Sequence, residues 1–102
     1  MIEFGITHGF TQIDDKLHVE GRCVTDLRLG DRFTKFIPYR KVGDEGNSGP
    51  KYVSDEARVV DLTVVSIFSY GKSMDFLSVG MTAKLILQGA GDNVGVFGSL
   101  CG

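Results

Sequence analysis

The sequence predicts an all-β domain, a small closed β-barrel. Three observations lead there. Apolar residues recur at every second position in several short segments, the spacing of a half-buried strand. Fourteen glycines against two prolines suit many short strands joined by tight turns, because such turns need backbone conformations with positive φ. No segment keeps a helical period of useful length anywhere in the chain.

The elements follow in chain order. Ile2, Phe4 and Ile6 alternate with Glu3, Gly5 and Thr7, which turns one face inward. After an Asp14-Asp15 turn, Leu17, Val19, Gly21 and Cys23 alternate with His18, Glu20 and Arg22. Gly30-Asp31 reads as the next turn, since glycine accepts a left-handed conformation and aspartate bonds nearby amides. The spacing of Phe33, Phe36 and Ile37 is irregular and predicts a bulge.

Residues 38–58 read as a long flexible loop, centred on the polar run Gly43-Asp44-Glu45-Gly46-Asn47-Ser48-Gly49-Pro50. Val60, Leu62 and Val64 then share one face, but Val65 and Ile67 make the other face apolar too. Such a segment is either covered on both sides or passes through a register change. The chain breaks at Tyr70-Gly71-Lys72, makes a short excursion through Met74 and Leu77, and resets at Gly80. Met81, Ala83, Leu85 and Leu87 alternate with Thr82, Lys84, Ile86 and Gln88 in the cleanest strand. After a Gly89-to-Asn93 turn, Val94-Gly95-Val96-Phe97 is the expected closing strand.

A length of 102 residues fits one domain, and 42% hydrophobic with 24% charged residues is ordinary for a globular chain. The net charge of −2 gives no general attraction to nucleic acid or anionic lipid. Cys23 and Cys101 lack a C-x-x-C spacing and are expected to be reduced thiols. The start of the chain carries no basic segment followed by an apolar run, and no apolar stretch approaches the ~20 residues of a bilayer span. A cytoplasmic location is the expectation.

Candidate chemistry is sparse. His8 and His18 have no nearby cysteine or histidine at metal-ligand spacing. No G-x-S-x-G elbow is present. The acidic pairs Asp14-Asp15, Asp44-Glu45 and Asp55-Glu56 read as solvated turns. No cofactor and no catalytic constellation are expected. Basic residues thicken between 28 and 58, where Arg40, Lys41 and Lys51 lie with Tyr39 and Tyr52. Cations interleaved with aromatics suit contact with phosphates and bases, so Arg40, Lys41, Lys51 and Tyr52 are candidate contact residues.

The order of these features resembles domain II of the translational GTPases, the β-barrel that follows the nucleotide-binding domain in elongation factor Tu and its relatives. The likeness rests on Phe10, Val19, Gly21, Arg22, Leu29, Gly30 and Asp31, then on Ile67, Tyr70, Lys72, Met74, Asp75, Gly80, Ala83, Leu85, Leu87 and Gly89. It implies a closed antiparallel β-barrel of six or seven strands, a fold that fully pairs its strand edges, standing without its GTPase, because no G-x-x-x-x-G-K-[ST] loop is present. Two positions that contact the aminoacyl end in tRNA-carrying relatives fall on Phe68 and Thr82, which lack the acidic and amide groups needed. The likeness also implies that the end of the barrel carrying Tyr70, Lys72 and Asp75 faces a partner.

The functional expectation is a non-catalytic binding module that recognises a protein partner, as an accessory or antagonist of a larger complex, toxin neutralisation included. The alternative is a ribosome- or RNA-contacting module related to translation factors.

Overall fold

A computed structural model describes the backbone of residues 1–42 and 51–102. Among the described residues ten strands appear: β1 (Glu3–Ile13), β2 (Lys16–Cys23), β3 (Leu27–Arg28), β4 (Arg32–Val42), β5 (Lys51–Ser54), β6 (Arg58–Ser69), β7 (Lys72–Met74), β8 (Phe76–Leu77), β9 (Thr82–Gln88) and β10 (Gly98–Cys101). No helix occurs among the described residues, and none is long and apolar enough to cross a membrane. The strands β4, β10, β1, β2, β9 and β6 pair in that order, and β6 pairs back to β4. This makes a closed six-stranded antiparallel barrel. Strand β7 extends the hairpin from β6, and β3 pairs with β8 as a separate two-stranded sheet.

The alternation read from the sequence becomes the inner wall. Phe4 and Ile6 of β1, Leu17, Val19 and Cys23 of β2, and Ala83, Leu85 and Leu87 of β9 are all buried. Their neighbours Glu20, Arg22, Thr82 and Lys84 face outward. Leu27 and Leu77, facing one another across the β3–β8 pair, are fully buried and join the same core. Each buried Val, Leu, Ile or Phe side chain among these contributes about 1.5–3 kcal/mol when removed from water.

Where simple alternation fails, the pairing shifts. Val64 of β6 faces Leu87, but Ser66 faces Ile86, so β6 holds one residue more than β9 at that point. The extra residue is Val65, which is exposed, and Val64 and Ile67 both point inward. A second shift between β4 and β6 lies between Phe33 and Lys35, and lets Phe33 and Phe36 both enter the core. A third lies in β1, where Ile6 faces Gly21 and Phe10 faces Val19. Bulges of this kind bend a strand and sharpen its twist, as a narrow barrel requires.

Two expectations need correction. The closing strand is Gly98–Cys101, not Val94–Phe97. It lies between β1 and β4 with all four residues buried. Gly98 fits because a side chain there would meet the carbonyl oxygen of Ile37 and the ring of Phe36. Val94 is buried in the core while Val96 is 65% exposed, so that segment lies outside the sheet. The span 38–58 is also less of a loop than expected. Residues 38–42 belong to β4, and Lys51–Ser54 form β5, paired with Tyr39–Val42. The central part of the expected loop, 43–50, lies outside the described residues.

One glycine is dictated by how closely β1 and β2 approach. A Cβ on Gly21 would lie 1.8 Å from the Gly5 carbonyl oxygen, an impossible contact with backbone. On Gly5 a Cβ would meet only ordinary contact at 3.7 Å. Gly21→Ala is therefore expected to destabilise the barrel by about 3 kcal/mol or more through forced strand separation, and Gly5→Ala to stay within about 0.5 kcal/mol. Paired urea melts measure the difference, and equal midpoints would contradict the packing described.

Candidate partner-recognition surfaces

The β6–β7 hairpin closes in two residues. Ser69 pairs with Lys72, leaving Tyr70 and Gly71 at the tip. Their φ angles are 53° and 75°, the pattern of a mirror-image type I′ turn whose twist matches the flanking strands. Asparagine, aspartate or glycine occupies the first central position most easily. A tyrosine there carries strain of about 1 kcal/mol, yet Tyr70 packs little and is 87% exposed. Lys72 and Asp75 are exposed beside it, and the Asp75 carbonyl accepts a bond from the Leu29 amide at 3.2 Å. The fold thus brings Tyr70, Lys72 and Asp75 onto one hairpin end.

Arg40, Lys41, Lys51 and Tyr52 lie elsewhere. They sit on an arm formed by the last part of β4 and by β5, with Arg40 opposite Val53, Lys41 opposite Tyr52 and Val42 opposite Lys51. β6 begins beside the base of this arm, at Arg58 opposite Phe36, and ends at the Tyr70 tip. The two candidate sets therefore occupy opposite ends of β6 and do not form one site. On the arm, Phe97 meets Tyr39 and Tyr52 edge-on, with ring centroids 5.7 and 5.2 Å away. Tyr39 is anchored by its hydroxyl to Ser99 Oγ at 3.0 Å, and Ser99 donates to Glu3 at 3.2 Å.

Much of the basic run is already engaged. Arg32 pairs with Asp61 at 2.7 Å and Arg40 with Asp55 at 2.9 Å. The Arg28 guanidinium lies 5.5 Å from the centre of the Phe76 ring. Arg58 donates to the Asn93 carbonyl. Each engaged cation offers less to a phosphate.

A surface that periodicity alone does not reveal runs across β1, β2, β9 and β6. His8, Glu20, Lys84, Phe68 and Tyr70 border a hollow of about 400 Å³, and an adjoining one of about 270 Å³ reaches Phe10 and His18. Gly9, with φ of 87°, lies in the β1 bulge that places His8 here. Outward-facing positions were legible one by one. Their assembly depends on Glu20 meeting Lys84, and Lys84 meeting Phe68, across strands far apart in sequence.

Neither thiol offers a reactive site. Cys23 and Cys101 are free, buried, and placed on opposite sides of β1, facing Phe4 and Glu3 respectively. Burial, with a smaller contribution from Asp26, pushes the Cys23 thiol up to about 11. Burial, then Glu3, raises Cys101, against an opposing pull from Lys35. Among the described residues, no three His, Cys, Asp or Glu side chains stand together as metal ligands.

No family model matches the chain, and no curated protein or solved structure matches it either.

The raised Cys23 value makes a prediction with a defined sign. Below about pH 9 the thiol is neutral in both folded and unfolded chains. Between about pH 9 and 11 the unfolded chain ionises first, so stability falls as pH rises. The urea midpoint is expected to drop across that window, and Cys23→Ala to flatten the drop even if the variant is less stable throughout. An unchanged slope in the variant would contradict the assignment.

Proposed function

We propose that the chain is a non-catalytic binding module that recognises a protein partner through the Tyr70 hairpin end. One observation carries this reading: an aromatic ring is held 87% exposed on a turn whose φ of 53° disfavours it. Backbone strain that serves no packing purpose concentrates where a contact is made. Tyrosine is also an efficient interface anchor, since it buries a large rigid area at little entropic cost. Lys72 and Asp75 add one charge of each sign beside the ring, which suits orienting a protein surface better than neutralising a polyanion.

Likeness to translation-factor domain II belongs to the same proposal. It is supported by the turn glycines Gly30 and Gly80, which adopt φ of 90° and 88° and donate their amides to Val64 and Cys23. In that reading the module serves as an accessory or antagonist of a larger assembly. RNA contact draws less support, because Arg28, Arg32, Arg40 and Arg58 already have partners within the chain.

Tyr70→Asn separates contact from turn-making. Asparagine tolerates the positive φ, so the variant is expected to gain about 0.5–1 kcal/mol of stability. Its retention of a stoichiometric protein in affinity capture from native lysate is expected to fall at least about tenfold. Retention unchanged by the substitution, or no stoichiometric protein retained by the unsubstituted chain, would defeat the proposal. Retention of RNA that collapses between about 50 and 200 mM salt would favour the nucleic-acid alternative.

A further inference from the structure

Strand β4 changes partners within a single peptide bond. Its residues Lys35 to Pro38 face Cys101 to Gly98 of β10 inside the ring, and from Tyr39 onward it faces β5 instead. The arm made by Tyr39–Val42 and Lys51–Ser54 therefore joins the ring through two legs. One is the Pro38–Tyr39 step, and the other is Asp55, Glu56 and Ala57, which belong to no strand. Every residue from Tyr52 to Val59 is exposed, and among the described residues β5 pairs with β4 alone. Few buried contacts and solvent-exposed backbone bonds mark a segment able to open by itself.

The arm is nevertheless tied to the barrel wall by a line of side chains. The line begins at Glu3 of β1, whose Oε2 accepts from Ser99 Oγ of β10 at 3.2 Å. Ser99 is 3% exposed, so its hydroxyl depends on partners within the chain. With its own proton given to the carboxylate, Ser99 Oγ is left to accept. The Tyr39 hydroxyl, 3.0 Å away, is then the donor of the second bond. This fixes the Tyr39 ring, which meets Phe97 edge-on, and Phe97 in turn meets Tyr52 of β5. Phe97 stands on the ring side, next to β10, and its carbonyl accepts from the Tyr39 amide at 3.2 Å.

We propose that Glu3, Ser99 and Tyr39 form a latch, and that the β4–β5 arm is a hinged unit that opens on its two legs while the ring stays closed. Closed, the latch keeps the Tyr52 ring against Phe97. Open, that ring is released to the surroundings. Arg40 remains paired to Asp55 in both positions, because the two residues stand together at the base of the arm. The arm lies at the end of β6 opposite the Tyr70 tip, so this inference does not rest on the Tyr70 reading.

Amide hydrogen exchange followed by NMR across a urea series is the test. The Asp55 amide, held by the Pro38 carbonyl at 2.8 Å, reports the arm, and amides paired between β2 and β9 report the ring. Below the main unfolding transition, arm exchange is expected to be nearly independent of urea, whereas ring exchange accelerates steeply with it. Tyr39→Phe removes only the hydroxyl, and Ser99→Ala removes both bonds. Each is expected to speed arm exchange about three- to tenfold. Ile67→Val, in the fully buried core, is expected to speed ring exchange by a similar factor and leave the arm unchanged, because the open-arm state keeps that core intact. Four results would each overturn the proposal. They are an arm amide without measurable protection, an arm with the urea dependence of the ring, an arm that accelerates with Ile67→Val as the ring does, and latch variants whose arm exchanges as before.

Discussion

Closure of six strands into one ring is the constraint on which the rest of this molecule depends. A barrel this narrow holds only side chains in its interior, so every strand must present its apolar residues inward along a tightly curved path. Regular strands do not bend that sharply. The chain answers with register shifts in β1, between β4 and β6, and between β6 and β9. It also removes the side chain where backbones press together, at Gly21 against Gly5 and at Gly98 against Ile37. Closure removes the long strand edges, and with them the usual route to edge-to-edge aggregation.

Curvature shapes the outside of the ring as well. The β1 bulge that helps the strand turn also places His8 above Glu20. The short β6–β7 connection, forced into mirror-image turn geometry by the twist of its strands, projects Tyr70 from one end. At the other end the β4–β5 arm continues beyond the ring, steadied by the edge-on contacts of Phe97 with Tyr39 and Tyr52. Ring, bulge and hairpin are one mechanical system, and the exposed candidate residues are its by-products.

The sequence was most legible where burial imposes a two-residue period. Leu17, Val19 and Cys23, and again Ala83, Leu85 and Leu87, point inward as their spacing demands. The irregular spacings were informative too: Phe33 with Phe36, and Val64 with Ile67, mark real shifts in pairing. Tyr70-Gly71 was readable as a turn. Glycine-rich stretches were where the reading slipped. Val94–Phe97 resembles a strand, yet the ring is sealed by Gly98–Cys101, whose fit depends on the backbone of β4. Of the candidate surfaces, the residues at Tyr70 could be named from the chain. The face built by His8, Glu20, Lys84 and Phe68 could not, because nothing local in those segments tells which strand lies beside which.

Sequence by itself determined that the protein is all-β, which faces of its strands are apolar, and where the chain turns. These are local properties, set by side-chain period and by the few residues that tolerate positive φ. Tertiary structure alone decided that β2 lies between β1 and β9, that β10 closes the ring, and that two candidate contact sets stand at opposite ends of β6. Those outcomes belong to pairings between distant segments, selected by how the whole interior fills.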